Sequence, residues 1–175
     1  MERFYSIPPQ RDFTNNPLGS SKVQTSPKLL NKPAEPTIFM KEKKPKILDS
    51  WALLCYFEGQ KGGEKVLELL TQATQTNQQL LISTVNWGEV LYTVEIRHGK
   101  EQRNTIEKTM GMMNLEIMDV DQNLTREAAS FKSEFGLPYA DCFAAALTSL
   151  NKGILITGDR DFKKIESQIE ISWIQ

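Results

Sequence analysis

KILDSWALLCYFEG, residues 46–59, is the stretch that decides the fold. Its first three residues form a short, largely apolar run that suits a buried strand. An acid, Asp49, ends that run. Ser50 then offers a helix cap, an apolar stretch follows, and Gly59 supplies a stop. Outward from it the pattern repeats. Glu64 to Thr74 is predicted to be a second helix, with Val66, Leu67, Leu69 and Leu70 on its apolar face. LLIST (80–84) reads as a strand, and Asn86 as the cap of a helix over 86–99. A helix over 101–113, a strand over 115–120 and a helix capped by Asp121 come next, the last with Leu124, Ala128, Phe131 and Phe135 about one turn apart. Gly136 and Pro138 break it. Tyr139–Leu150 is an Ala-rich helix, and GILIT (153–157) and EISWI (170–174) are the closing strands. Strands alternating with helices predict an α/β domain. Strands apolar on both faces predict a mostly parallel sheet covered on both sides.

Residues 1–44 differ from this pattern. They hold six of the eight prolines, eight Lys/Arg against four Asp/Glu, and no sustained apolar period. Such a segment buries too little surface to offset its chain entropy. It is expected to be a flexible extension, or, if Met40 is the true start, not native at all; a partner-binding arm is a further option. Residues 45–175 are the expected domain, with 13 Lys/Arg against 18 Asp/Glu, a net charge of -5. A net-acidic domain is not a simple phosphate-binding module; bound cations would be one way for it to meet a polyanion. No apolar run approaches the ~20 residues of a spanning helix, and no secretory signal is seen at the N-terminus. Cys55 and Cys142 lie in apolar runs, which fits buried thiols in a cytoplasmic chain better than a disulfide.

Four carboxylates stand at strand ends and helix starts, where open α/β sheets place their ligands. Asp49 ends the first strand, Asp159 follows the GILIT strand, Asp141 opens a helix and Glu89 lies in the first turn of another. Crowded carboxylates repel unless a cation sits among them. Oxygen donors favour Mg2+ or Mn2+ over zinc. His98 is the only histidine, so no His-dependent triad or zinc cluster is available. A metal-assisted hydrolase acting on a phosphodiester remains. Each acid also has a structural reading: Asp49 as a cap, Glu89 at the positive end of a helix dipole, Asp159 and Asp161 as turn formers. A lone acid between Ala140 and Cys142 is hardest to explain structurally.

At these residues the chain resembles the PIN-domain nucleases, and most closely the VapC-type toxins of toxin–antitoxin pairs. ILDSWALLCYFEG (47–59), VNWGEVLY (85–92), LPYADCFAAAL (137–147) and ILITGDRDF (154–162) look like the four motifs of that family in the right order. The resemblance runs from about Lys46 to Gln175. It implies a three-layer α/β/α fold, a Mg2+- or Mn2+-dependent endoribonuclease, a homodimer and a small cognate antitoxin as inhibitor. It casts Asp49 and Asp141 as the direct metal ligands, with Glu89 and Asp159 completing the pocket and orienting water. Thr157 and Ser50 match positions that line such sites, and Asp161 is an optional member. Apart from the resemblance, Arg160 stands between two candidate acids, a position from which it could contact phosphate. The first 44 residues have no counterpart in the family.

Three other readings stay open. One is a PIN-type RNA-processing nuclease without antitoxin, and another is an inactive PIN-like binding module. A haloacid-dehalogenase-like phosphatase also begins with an acid after a strand, but it needs a second Asp where Trp51 stands. Trp51, Phe57, Trp87 and Tyr92 are assigned to core or dimer packing, His98 to a helix end, and Arg97, Lys100, Arg103 and Lys108 to a solvated helix face.

Overall fold

Successive residues of a strand face opposite sides of a sheet, and here that alternation divides the core in two. Ile47, Leu81 and Leu155 join one apolar cluster, while Leu48, Leu80, Ile82 and Ile156 join the other. The computed structural model describes residues 43–174. The strands are β1 (Lys46–Leu48), β2 (Leu80–Ser83), β3 (Leu115–Met118), β4 (Ile154–Thr157) and β5 (Glu170–Trp173). All four pairings are parallel, in the order β3-β2-β1-β4-β5.

Helices cover both faces. Against Leu48 and Ile82 pack α1 (Ser50–Phe57), α2 (Gly63–Thr76), α3 (Thr84–His98) and α4 (Lys100–Gly111). Against Ile47 and Leu155 pack α5 (Gln122–Phe135), α6 (Tyr139–Leu150) and a 3-10 helix over Arg160–Ile165. This is the three-layer α/β/α arrangement expected from the sequence, with a sheet that is wholly parallel among the described residues. The central strands are buried on both faces, whereas β3 and β5 at the edges each carry exposed residues. Full burial of a side chain such as Leu48 contributes about 1.5–3 kcal/mol.

Two caps differ from the sequence reading by a few residues. Asp49, not Ser50, caps α1: its Oδ1 accepts from the Ala52 amide at 2.8 Å. Ser83, not Asn86, caps α3, its Oγ accepting from the Asn86 amide at 3.1 Å. Asp121 caps α5 as expected, through the Leu124 amide at 2.7 Å. Gly62 sits at φ 99°, with the Ile174 carbonyl where a Cβ would lie, so only glycine makes this turn into α2 without strain. Cys55 and Cys142 are buried free thiols. The expectation for residues 1–44 falls, except for Lys43 and Lys44, outside the described residues.

The chain order β1-β2-β3 runs to one side of the sheet, and β4-β5 to the other. The direction reverses between β1 and β4. Such a switch point leaves a crevice at the carboxyl ends of the strands, and Asp49 and Asp159 lie there.

Candidate active site

The Thr157 hydroxyl bridges that crevice. It donates to Asp49 Oδ2 across the β1–β4 boundary and accepts from the Asp159 amide at 2.9 Å. Asp49 is therefore held by both oxygens, Oδ1 by the Ala52 amide and Oδ2 by Thr157, and it is 1% exposed. Its capping role and its place in the acidic group are compatible because different oxygens serve them. Asp159 likewise caps the 3-10 helix, its Oδ1 accepting from the Asp161 amide at 2.8 Å.

Glu89 lies across from β1 in α3. Ser50 Oγ donates to its Oε2 at 2.5 Å, and the Tyr92 hydroxyl donates to its Oε1 at 3.1 Å. Tyr92 is 55% exposed, so of the core or dimer packing expected for it the core is excluded. Its spacing three residues after Glu89, one turn along a helix, was the available signal for this contact. Asn86 is fully buried, and its Nδ2 donates to the Ala140 carbonyl at 3.1 Å. That bond ties the start of α3, which carries Glu89, to the start of α6, which carries Asp141.

Asp141 differs from the other acids. Its Oδ2 is buried and has no hydrogen-bond partner. Burial first, then the charges of Asp159, Glu89 and Asp161, push its carboxyl up to about 7, against a lowering contribution from Lys164. Burial also pushes Asp49 up to about 7; Thr157 and the Ala52 amide pull it down, and Asp141 and Asp159 push it up further. These mutual effects place Asp49, Asp141, Glu89 and Asp159 in one electrostatic group, with Asp161 at its margin. Asp161 is itself partnered by Lys164 Nζ at 3.0 Å. Arg160 is exposed and forms no hydrogen bond or ion pair with these acids.

Among the described residues, no group of three or more His, Cys, Asp or Glu side chains is arranged to hold a metal ion by itself. A Mg2+ ion does not require one, since it usually takes one or two carboxylates and keeps several waters. The donor set here is all oxygen, the hard chemistry that Mg2+ and Mn2+ favour. The unpartnered Asp141 Oδ2 and two carboxyls raised by burial and repulsion show an unmet demand for positive charge. The residues therefore fit a hard divalent cation.

Most residues set aside in the sequence reading are structural. Phe57 is buried, and Trp51 and Trp87 pack against the core. Arg97 pairs with Glu58, and Arg103 with Glu95 and Glu107. His98 Nε2 lies 3.5 Å from Glu58 at the end of α3. No helix among the described residues is long and apolar enough to cross a membrane.

No curated protein matches the chain in sequence. Solved structures share its fold at low identity. A toxin–antitoxin complex from Klebsiella pneumoniae is 20% identical with a TM-score of 0.56, covering 74% of this chain and 98% of that one. A DNA-bound VapBC from Salmonella typhimurium is 17% identical with a TM-score of 0.59, covering 75% and 99%. A Mycobacterium tuberculosis VapC toxin described as cleaving the sarcin-ricin loop is 11% identical with a TM-score of 0.54, covering 71% and 95%. The PIN domain family matches residues 46–167, a span that begins with β1 and takes in Asp49, Glu89, Asp141 and Asp159. With that match and this fold, the chain belongs to the PIN domain family.

Proposed function

We propose that this protein is a divalent-cation-dependent endoribonuclease that acts as the toxin of a toxin–antitoxin pair. The observation that carries the nuclease reading is the buried, unpartnered Oδ2 of Asp141 within a group of acids at the sheet's switch point. Family membership and the toxin–antitoxin identity of similarly folded proteins support the toxin reading.

Asp49 and Asp141 are the residues to hold the ion, Mg2+ or Mn2+. When bound, such an ion polarises a phosphodiester and lowers the pKa of water in its shell. The rest is done by the chain. The Ala52 amide and Thr157 fix the Asp49 carboxylate, so it reaches the substrate already oriented. Ser50 and Tyr92 fix Glu89, whose remaining lone pairs can orient the attacking water. Asp159, linked to Asp49 through Thr157, completes the pocket and helps to orient water. Water adds to phosphorus, the bond from phosphorus to the leaving ribose oxygen breaks, and a proton passes to that oxygen.

Partners follow from the same reading. The substrate is RNA, and the inhibitor is a small antitoxin protein. Tyr92 and Ile96, one turn apart on α3 and 55% and 80% exposed, offer apolar surface for such an antitoxin or for the second copy of a homodimer. The alternative of an RNA-processing PIN nuclease without antitoxin shares the chemistry and differs only in partner.

Purified protein is expected to cut a single-stranded RNA with Mg2+ or Mn2+ and to stop in excess EDTA. Cleavage that continues in EDTA contradicts the ion's role. Expression in bacteria is expected to arrest growth, with relief by Asp49→Asn or Asp141→Asn. Cleavage in vitro without growth arrest would favour the processing alternative.

A further inference from the structure

Gly88 lies in the interior of α3, where glycine is disfavoured more than any residue but proline. Packing does not call for it. A Cβ built there would meet nothing within 4 Å, and its φ is not in the left-handed region. Gly62, Gly63 and Gly153 differ, since each meets a backbone oxygen at 2.6 or 2.7 Å. Glycine at 88 therefore makes room for no neighbour among the described residues, and it leaves open space on the helix surface.

The surroundings of that space belong to the acidic pocket. Glu89 is the next residue, and Tyr92 lies one turn on, on the same face as Gly88. Helical side chains lean back over the turn before them. The Tyr92 side chain does so, its hydroxyl donating to Glu89 Oε1 at 3.1 Å. That bond holds the ring at the edge of the pocket, and yet Tyr92 remains 55% exposed. Partial burial first, and then the charge of Glu89, raise the hydroxyl above its ordinary range. The phenol is thus uncharged at neutral pH and does not repel a polyanion. The ring does not fill the space at Gly88, because no side chain comes within 4 Å of the Cβ position. What results is a shelf: bare helix backbone for a floor, an aromatic ring beside it and Glu89 at its inner end.

A flat, uncharged group suits such a shelf. Single-stranded RNA supplies one at each nucleotide, since an unstacked base stacks on an exposed aromatic ring whatever its identity. We infer that the shelf formed by Gly88 and Tyr92 receives the base next to the bond to be cut, so that the strand enters the acidic pocket with that nucleotide unstacked. The shelf rests on the ribonuclease reading of the pocket and adds to it a part of the substrate held outside the acids. Gly88 and the Tyr92 ring are positioning residues: they hold the base and leave the phosphodiester to the acids. A protein seated on the Tyr92–Ile96 face would exclude that base.

The test is steady-state cleavage of one single-stranded RNA at fixed Mg2+, with thermal unfolding and sedimentation velocity of each variant. Gly88→Ala and Gly88→Leu fill the shelf by steps and favour the helix, so both should melt no lower than wild type. KM should rise about threefold in the first and about tenfold in the second, within the range for loss of one stacked base, with kcat within about twofold. Tyr92→Phe keeps the ring and loses the bond to Glu89, so kcat should fall while KM stays within about twofold. Tyr92→Leu loses the ring as well, and KM should rise about tenfold. The matched control is Gly111→Leu, at the other helix position where a Cβ meets nothing within 4 Å. Gly111 shortly precedes β3, at the amino ends of the strands and away from the pocket, and its variant should keep the wild-type KM. Wild-type KM in Gly88→Leu, equal KM in Tyr92→Phe and Tyr92→Leu, or an equal rise in Gly111→Leu would overturn the shelf. So would a KM rise that accompanies dissociation of a dimer, since the face would then be a contact between copies. Wild-type protein that cuts no RNA would refute the ribonuclease reading itself, a failure distinct from these.

Discussion

Replacing Asp141 with asparagine should make the metal-free protein more stable, and the size of the gain follows from the site. The Asp141 carboxyl is raised from 3.8 to about 7, chiefly by burial and then by Asp159, Glu89 and Asp161. At ~1.36 kcal/mol per pKa unit the full shift corresponds to about 4 kcal/mol. Its 8% exposure and the softness of the surrounding charges trim this to about 2–3 kcal/mol. Below pH 3.8 the group is protonated in folded and unfolded chains alike, and nothing is lost. As pH rises towards about 7 the unfolded chain ionises freely while the folded one resists, so stability falls across that window; above it the penalty is complete. Asparagine never ionises, and since Oδ2 has no hydrogen-bond partner, the exchange breaks no bond there. In EDTA at pH 8 the urea midpoint of Asp141→Asn should exceed that of wild type by about 1–2 M, taking a slope of ~1–3 kcal/mol per molar. At pH 4 the two midpoints should nearly coincide. Millimolar Mg2+ should then favour the wild type, since an ion at 100 times its Kd contributes about 2.7 kcal/mol to the form that binds it. A variant no more stable than wild type at pH 8 in EDTA, or a gap that does not depend on pH, would refute the view of Asp141 as a buried charge awaiting a cation.

Thr157→Val removes the hydroxyl that joins Asp49 to the Asp159 amide. It should cost about 1–3 kcal/mol in thermal unfolding and move the acid limb of the cleavage profile to higher pH, because Asp49 loses the bond that pulls its pKa down; an unmoved limb contradicts that role. Asn86→Ala cuts the tie from α3 to the Ala140 carbonyl. Destabilisation of about 1–3 kcal/mol in urea titrations is expected, with kcat falling more than KM rises as Glu89 loses register with Asp141; a purely stability-limited variant would show full kcat per folded molecule. Gly62→Ala should lose stability by about 1 kcal/mol or more through its positive φ and the Ile174 carbonyl, while folded protein at low temperature keeps wild-type activity.

Local signals in the chain sufficed for the elements that carry the site. The apolar run 46–48 with an acid after it, and GILIT with Gly158 and Asp159 after it, announce strands whose ends bear carboxylates. Strand order is a different kind of information: nothing in residues 46–48 or 154–157 says that β1 and β4 are neighbours, because that depends on pairing among distant segments. The two shifted caps have a local cause. Asp49 and Ser50, or Ser83 and Asn86, are both good cap formers a few residues apart, and the end of the strand settles which one leaves the helical path first. Nothing local separates core from surface packing for Tyr92, an aromatic beside Val90, Leu91 and Val94; the fold puts it on the outer face of α3 beside Glu89. The pairing of Asp161 with Lys164 was not legible, since TGDRDF reads as a turn, and only the 3-10 helix brings residues three apart onto one face.

The central claim is that Asp49 and Asp141 together hold the divalent ion. Its most direct test is calorimetric titration of Mn2+ into metal-free protein at pH 8, where both carboxyls, raised to about 7, are largely ionised. Wild type should bind, and Asp49→Asn and Asp141→Asn should each weaken binding by at least about tenfold, the ~1.4 kcal/mol expected from losing one charged ligand, while Asp161→Asn should change it little. Equal Mn2+ affinity in wild type and in both ligand variants would contradict the claim.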